Sequence, residues 1–170
     1  MTRLLSSLAQ IALLRKDPGI LPASLLLSVA LALGYAGANA VLASVDGEQR
    51  ILARTAVDLS LALAFFWLLL AITRRSHRFP QTISAVLGAY VLLAPIITLL
   101  LLMRGPAKSH SAAWLLVNAG STVVTIWYLL IVGHILKSAL DTGLATGFAI
   151  AVTWAIATVA VLQKLFPMAA

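Results

Sequence analysis

The chain has 170 residues, of which 62% are hydrophobic and 10% are charged. Soluble domains average about 45–50% apolar and about 25% charged residues, so this chain has too few polar residues to cover a water-soluble fold. Twelve basic residues against five acidic ones give a net charge of +7, and the absence of cysteine excludes disulfides, thiolate metal ligands and cysteine nucleophiles. The composition predicts a protein whose exterior faces hydrocarbon.

Residues 1–19 predict a short amphipathic helix that lies in the membrane interface. The segment is too short to cross about 30 Å of hydrocarbon at about 1.5 Å per residue. An Asp-Pro-Gly sequence at 17–19 ends it. Polar residues interrupt the apolar run and no small-residue cleavage site follows, so we expect no cleavable signal peptide. The apolar residues at helical spacing are Leu4, Leu5, Leu8, Ile11 and Ala12.

Residues 20–170 contain five apolar runs. Each is close to the length of about 20 residues, range about 17–25, that a helix needs to cross the bilayer. Polar segments separate the runs, among them a basic loop at 74–80 and a short break at 137–142. Pro95 lies inside the third run and predicts a kink, because proline removes a backbone hydrogen bond. The fold class is therefore all-α, a polytopic bundle of about five transmembrane helices after a short N-terminal interfacial amphipathic helix. The predicted spans are 21–45, 51–73, 81–103, 112–136 and 143–166.

The basic residues of the short loops predict the orientation. A cytoplasmic N-terminus places seven of them inside and five outside. Anionic lipid headgroups are their natural partners, above all at Arg74, Arg75 and Arg78, and we expect no nucleic-acid partner. The high alanine and leucine content fits a bacterial inner membrane. The inside set is Arg3, Arg15, Lys16, Arg74, Arg75, Arg78 and Lys137, and the outside set is Arg50, Arg54, Arg104, Lys108 and Lys164.

Asp58 is an acid about five residues into the second span, and Arg54 precedes it by one helical turn. An acid at the centre of a span costs about 2.5–3.5 kcal/mol on insertion scales. One interpretation is a local Arg54–Asp58 pair that neutralises both charges and faces neighbouring helices. The other is a carboxylate that couples to ions or protons. Further ionisable groups at membrane depth would support the second interpretation, and the spans offer none.

Two more polar residues lie in the fourth span. Asn118, followed by hydroxyl residues, predicts either the lining of a substrate path or hydrogen bonds to helix carbonyls and neighbouring helices, and we favour the latter. His134 stands near the end of the span at the expected headgroup level. One histidine without a second ligand is weak evidence for a metal, so we expect neither a metal nor a cofactor.

Small residues recur every four positions on the fifth span, at Gly143, Gly147, Ala151 and Ala155. Such a stripe lets another helix approach closely. The partner is either another helix of the same bundle, which we favour, or a second copy of the chain in a homo-oligomer.

Three stretches resemble the bacterial branch of the Yip1-like membrane proteins. They are Ala-Phe-Phe-Trp-Leu-Leu-Leu at 64–70, Arg-Phe-Pro-Gln-Thr at 78–82 and Val-Gly-His-Ile-Leu-Lys-Ser-Ala-Leu at 132–140. The resemblance implies a five-helix membrane fold. Eukaryotic relatives act with Rab GTPases in vesicle traffic through a cytosolic N-terminal region, and this chain has almost no such region. The resemblance therefore implies no functional residues here.

The sequence lacks the motifs of intramembrane catalysis. It has no Gly-x-Ser-x-Gly elbow, no His-Glu-x-x-His zinc site and no paired-glutamate protease motif, and its loops are too short for a soluble catalytic domain. We expect a non-enzymatic membrane protein that acts as a scaffold or adaptor through protein or lipid partners. The alternative is a small oligomeric transporter or channel with Asp58 as the polar pathway residue.

Overall fold

The structure, a computed structural model, describes residues 2–46, 50–104 and 111–167, and these residues form helices without strands. Five helices are long and apolar enough to cross a membrane. The prediction of an all-α bundle with five spans is thus confirmed. The helices are α1 (Thr2–Ala12), α2 (Leu25–Asp46), α3 (Ile51–Ile72), α4 (Phe79–Arg104), α5 (Ala112–Leu140) and α6 (Leu144–Leu165), with 3₁₀ turns at Pro18–Ile20 and Ser76–Arg78.

Three helix boundaries differ from the predicted spans by two or more residues. The first span begins at Leu25 rather than at 21, because the chain leaves the Pro18–Ile20 turn in an extended conformation. The third begins at Phe79, since a proline in the first turn of a helix loses no hydrogen bond. The fourth continues through 137–140, for which the sequence predicts a polar break. It ends at Leu140 and is capped by Asp141, which adopts left-handed dihedral angles (φ 49°, ψ 49°).

α4 is the central helix of the bundle. It packs along α2 on one side and α5 on the other, and α5 also packs along α6. α3 makes smaller contacts with α2, α4 and α6. The helix is continuous through Pro95, and the kink stays a prediction. The largest fully buried side chains of the spans are Phe66, Leu70, Ile83, Ile131, Ile135 and Leu136, so the core lies near the end of the bundle where α3 passes into α4.

The outer surface of the bundle is apolar. Only 6% to 28% of the residues in each candidate span are buried. Large side chains such as Leu26, Leu52 and Ile72 are about 80% exposed. A water-soluble protein would leave this surface unfavourably hydrated, whereas hydrocarbon covers it without cost. The structure is therefore that of an integral, multi-pass membrane protein.

α1 packs its apolar face against α4 and α5. Leu8 and Ile11 are buried, and Leu8 lies directly over Gly88. The indole N–H of Trp127 donates to the Ala12 carbonyl at 3.2 Å. The side chains of Leu4 and Leu5 lie outside the described part of the structure. The position of α1 in the membrane interface stays a prediction.

Candidate functional site

The Asp58 carboxylate lies where α3 faces α2. It accepts a hydrogen bond from the hydroxyl of Tyr35, a residue of α2 that is 7% exposed. The positive charge of Arg54 also acts on it. The Asp58 carboxylate therefore interacts with Tyr35 on a neighbouring helix and with Arg54, one turn earlier on its own helix.

Polar and aromatic groups extend the contact from α2 to α4 and α5. Asn39 donates to the Tyr35 carbonyl at 2.9 Å and accepts a hydrogen bond from the Tyr90 hydroxyl at 3.0 Å. The rings of Tyr35 and Tyr90 lie 4.5 Å apart, and those of Tyr90 and Tyr128 lie 5.9 Å apart in an edge-to-face arrangement. We call Tyr35, Asn39, Asp58, Tyr90 and Tyr128 the tyrosine–aspartate cluster.

A chain of aromatic rings joins this cluster to α3 and α6. The ring of Trp154 lies 6.4 Å from that of Tyr128 and 5.2 Å from that of Phe66. The Trp154 indole N–H is buried and has no hydrogen-bond acceptor among the described residues. Aromatic pairs at such distances contribute about 0.5–1.5 kcal/mol beyond area burial, so the rings of this chain and of the cluster help to hold α2 to α6 together.

Sequence reasoning found Asp58 but missed its partners on other helices. Tyr35 and Asn39 stand one turn apart on a span whose other polar side chains are serines, and this spacing is the signal that could have found them. Tyr90 and Tyr128 become partners only through the packing of α4 between α2 and α5, and periodicity does not give that packing.

Asn118 does not join the cluster. Its side-chain amide donates to the Trp114 carbonyl at 2.9 Å. The hydroxyls of Thr122 and Thr125 likewise donate to the carbonyls of Asn118 and Ser121, each at 2.9 Å. These side chains bond to carbonyls of their own helix. This arrangement agrees with the interpretation of Asn118 as a hydrogen-bond donor to helix carbonyls rather than as the lining of a substrate path.

His134 fastens the segment that follows α1. Its Nε2 lies 3.3 Å from the Lys16 carbonyl and 3.8 Å from Asp17 Oδ1. Four residues later, the Ser138 hydroxyl donates to the same Asp17 oxygen at 2.5 Å. Within the described part of the chain, no group of three or more His, Cys, Asp or Glu side chains is placed to hold a metal ion.

Arg75 and Arg78 point to the connection between α5 and α6. Both guanidinium groups donate to the Asp141 carboxylate, Arg78 at 3.2 Å. Arg78 also donates to the Ser138 carbonyl at 2.8 Å, and both reach the Ala139 carbonyl, at 3.3 and 3.4 Å. Carbonyls in the last turn of a helix have no partner within it, so the two arginines cap α5. Hydrogen bonds from Arg78 and Arg75 lower the pKa of the Asp141 carboxyl.

Arg74 behaves differently from its two neighbours. It adopts a positive φ of 58°, and its side chain is exposed. Neither Arg74 nor His77 forms a side-chain hydrogen bond or ion pair with another described residue. The binding of anionic headgroups by Arg74, Arg75 and Arg78 stays a prediction. Two of these side chains, those of Arg75 and Arg78, already bond to other residues of the chain. The side chains of Arg3, Arg104 and Lys108, used in the orientation prediction, lie outside the described part.

The small-residue stripe of α6 meets α5 at very short range. A Cβ atom on Gly147 would lie 2.2 Å from the carbonyl oxygen of Gly133 on α5. Ala151 is fully buried and Ala155 is half-buried, whereas Gly143 caps the start of α6 and faces open space. The middle of the stripe therefore packs within the bundle.

Comparison with known proteins adds no relative: no protein-family model matches the chain, and no curated protein or solved structure matches it. The Yip1-like resemblance stays a prediction.

Proposed function

We propose that this chain is a non-enzymatic membrane protein of Yip1-like type that acts as a scaffold or adaptor through lipid or protein partners. The observation that carries the proposal is the internal use of the polar residues in the spans. Asp58 is held by Tyr35, Asn118 by its own helix, and His134 by the segment after α1. Groups that line an ion path must instead exchange partners with the moving ion.

We place the protein in a bacterial inner membrane with its N-terminus in the cytoplasm. The loop between α3 and α4 and the connection between α5 and α6 meet at one end of the bundle, where Arg75 and Arg78 reach Asp141. Arg74 and Lys137 lie at the same end, so an excess of basic residues supports its cytoplasmic location.

Ion flux through reconstituted protein tests this proposal. We expect liposomes that contain the full chain and a pH-sensitive dye to show no more proton flux under a membrane potential than protein-free liposomes. Asp58→Asn and Tyr35→Phe should behave like the wild type. A cross-linker placed at the exposed His77 in native membranes should give discrete adducts, and Asp58→Asn should leave them unchanged. Flux in the wild type that Asp58→Asn abolishes would contradict the scaffold proposal.

One observation favours the alternative, a small oligomeric transporter or channel. The tyrosine–aspartate cluster joins a carboxylate to one phenol and packs two further phenol rings in sequence behind it inside the spans, and such a set is suited to relaying a proton. The alternative predicts a proton flux in the wild type that Asp58→Asn removes although the variant still folds. The same liposomes therefore separate the two functions.

A further inference from the structure

An apolar crevice lies between α2, α3 and α4. Its volume is 470 Å³, and its lining includes Leu25, Val29, Leu63, Trp67, Phe79 and Leu87. One hydroxyl, that of Ser28, is also part of the lining, but it is bonded to the Ser84 hydroxyl at 2.9 Å and to the Pro80 carbonyl at 3.3 Å. Because its one polar side chain is satisfied internally, the crevice suits hydrocarbon rather than water.

The crevice begins beside the basic loop and runs toward the middle of the membrane. Phe79 starts α4 directly after the Ser76–Arg78 turn, and Leu25 starts α2 at the same end of the bundle. Leu87 lies eight residues into α4, about 12 Å further along at about 1.5 Å per residue. The lining therefore follows the direction that a lipid chain takes in a bilayer.

The basic loop, whose Phe79 and Pro80 line the crevice, carries an excess of positive charge that favours an anion. The Asp141 carboxylate accepts hydrogen bonds from Arg75 and Arg78. Arg74 and His77, in the same loop, are exposed and bond to no other described side chain. Basic groups between helices at the cytoplasmic surface are typical sites for anionic lipid headgroups.

We propose that the crevice and the loop form a binding site for one anionic glycerophospholipid. An acyl chain occupies the crevice beside Trp67, and the phosphate binds Arg74 with His77 beside it. This inference rests on the proposed function and names the lipid class through which the scaffold engages its membrane.

Trp67 reports on the occupant of the crevice, because it lines the crevice and is 52% exposed. The full chain is reconstituted in phosphatidylcholine with equal small fractions of either brominated phosphatidylglycerol or brominated phosphatidylcholine. Subtracting the fluorescence of Trp67→Phe isolates the Trp67 signal. We expect the anionic lipid to quench this signal at an about fivefold lower fraction, the preference that one cation near the surface supplies.

Variants at the two ends of the bundle locate the charge that selects the lipid. Arg74→Gln with His77→Gln should remove the preference. Lys164→Gln removes the same charge at the opposite end of α6 and should keep it. Equal quenching by both lipids, or a preference that survives the double substitution, would overturn the proposal.

Competition by phosphate and the flux measurement distinguish a lipid site from a free-anion site and from an ion path. Excess inorganic phosphate should leave the preference intact, and its loss would assign the loop to a free anion instead. If both brominated lipids quench equally and no ion flux is seen, only the lipid site is contradicted. If ion flux depends on Asp58, the scaffold proposal is contradicted, whatever the lipid preference.

Discussion

A carboxylate inside a membrane-spanning helix needs partners, because an unpaired acid at the centre of a span costs about 2.5–3.5 kcal/mol on insertion scales. Asp58 has two: the hydroxyl of Tyr35 across the helix interface and the charge of Arg54 on its own helix. The acid thereby serves as a link between α2 and α3, two helices that otherwise make few contacts.

Tyr35→Phe should destabilise the bundle because it removes the donor across the interface. We expect a loss of about 1.5–3 kcal/mol in unfolding free energy, the range for hydrogen bonds to charged groups. Denaturant titration in mixed micelles measures it. Tyr90→Phe is the matched control, since it loses only a neutral hydrogen bond to Asn39, worth about 0.6 kcal/mol in membrane proteins. Additive effects of Tyr35→Phe and Asp58→Asn in a double-mutant cycle would contradict the link.

The contact of Asp141 with Arg75 and Arg78 predicts a pH dependence. The folded-state pKa of Asp141 lies below its ordinary value of 3.8, so the folded protein binds this proton less tightly than the unfolded one. The stabilisation that the Asp141 carboxylate contributes is therefore complete above the ordinary pKa of 3.8, and it is lost as the pH falls through the lower pKa of the folded state. Asp141→Asn should lower the Tm in detergent by a constant amount between about pH 5 and 8. A difference from the wild type that shrinks already within that range would contradict this assignment.

At the scale of helices, α5 and α6 approach each other closely at two glycines, Gly133 and Gly147. A Cβ atom on Gly147 would meet a backbone oxygen, which cannot move aside as a flexible side chain can. A Cβ atom on Gly133 would likewise lie 2.8 Å from the Cα atom of Phe148. Close approach of small residues replaces the hydrophobic effect as the source of attraction between helices in lipid.

Gly147→Leu should force α5 and α6 apart. We expect a loss at or above the upper end of the about 1–3 kcal/mol typical of overpacking, measured as a lower Tm in detergent. Gly37→Leu is the control, because nothing lies within 4 Å of a Cβ atom at that position on α2. If Gly147→Leu kept the Tm but converted a dimer to a monomer, the stripe would be an interface between copies instead.

For the molecule as a whole, the sequence was sufficient for the number and approximate length of the spans, because hydropathy depends on local composition. It was insufficient for contacts between distant segments. Asp58 and Tyr35 are separated by 23 residues, and Asp141 and Arg75 by 66, and only the packing of helices decides that they meet. The sequence also did not indicate that α5 continues to Leu140, because the charge of Lys137 is typical of the start of a polar break. In the structure Leu136, Ala139 and Leu140 are nevertheless buried.

The most direct test of the five-span bundle is single-cysteine labelling, which the absence of native cysteine makes free of background. Cysteines replace Gln49, Ser76, Lys108 and Thr142 one at a time in cells, and a membrane-impermeant maleimide is added from outside. Ser76→Cys and Thr142→Cys should react only after the membrane is opened, and Gln49→Cys and Lys108→Cys without opening. Reaction at all four positions from one side would contradict a bundle that crosses the membrane five times.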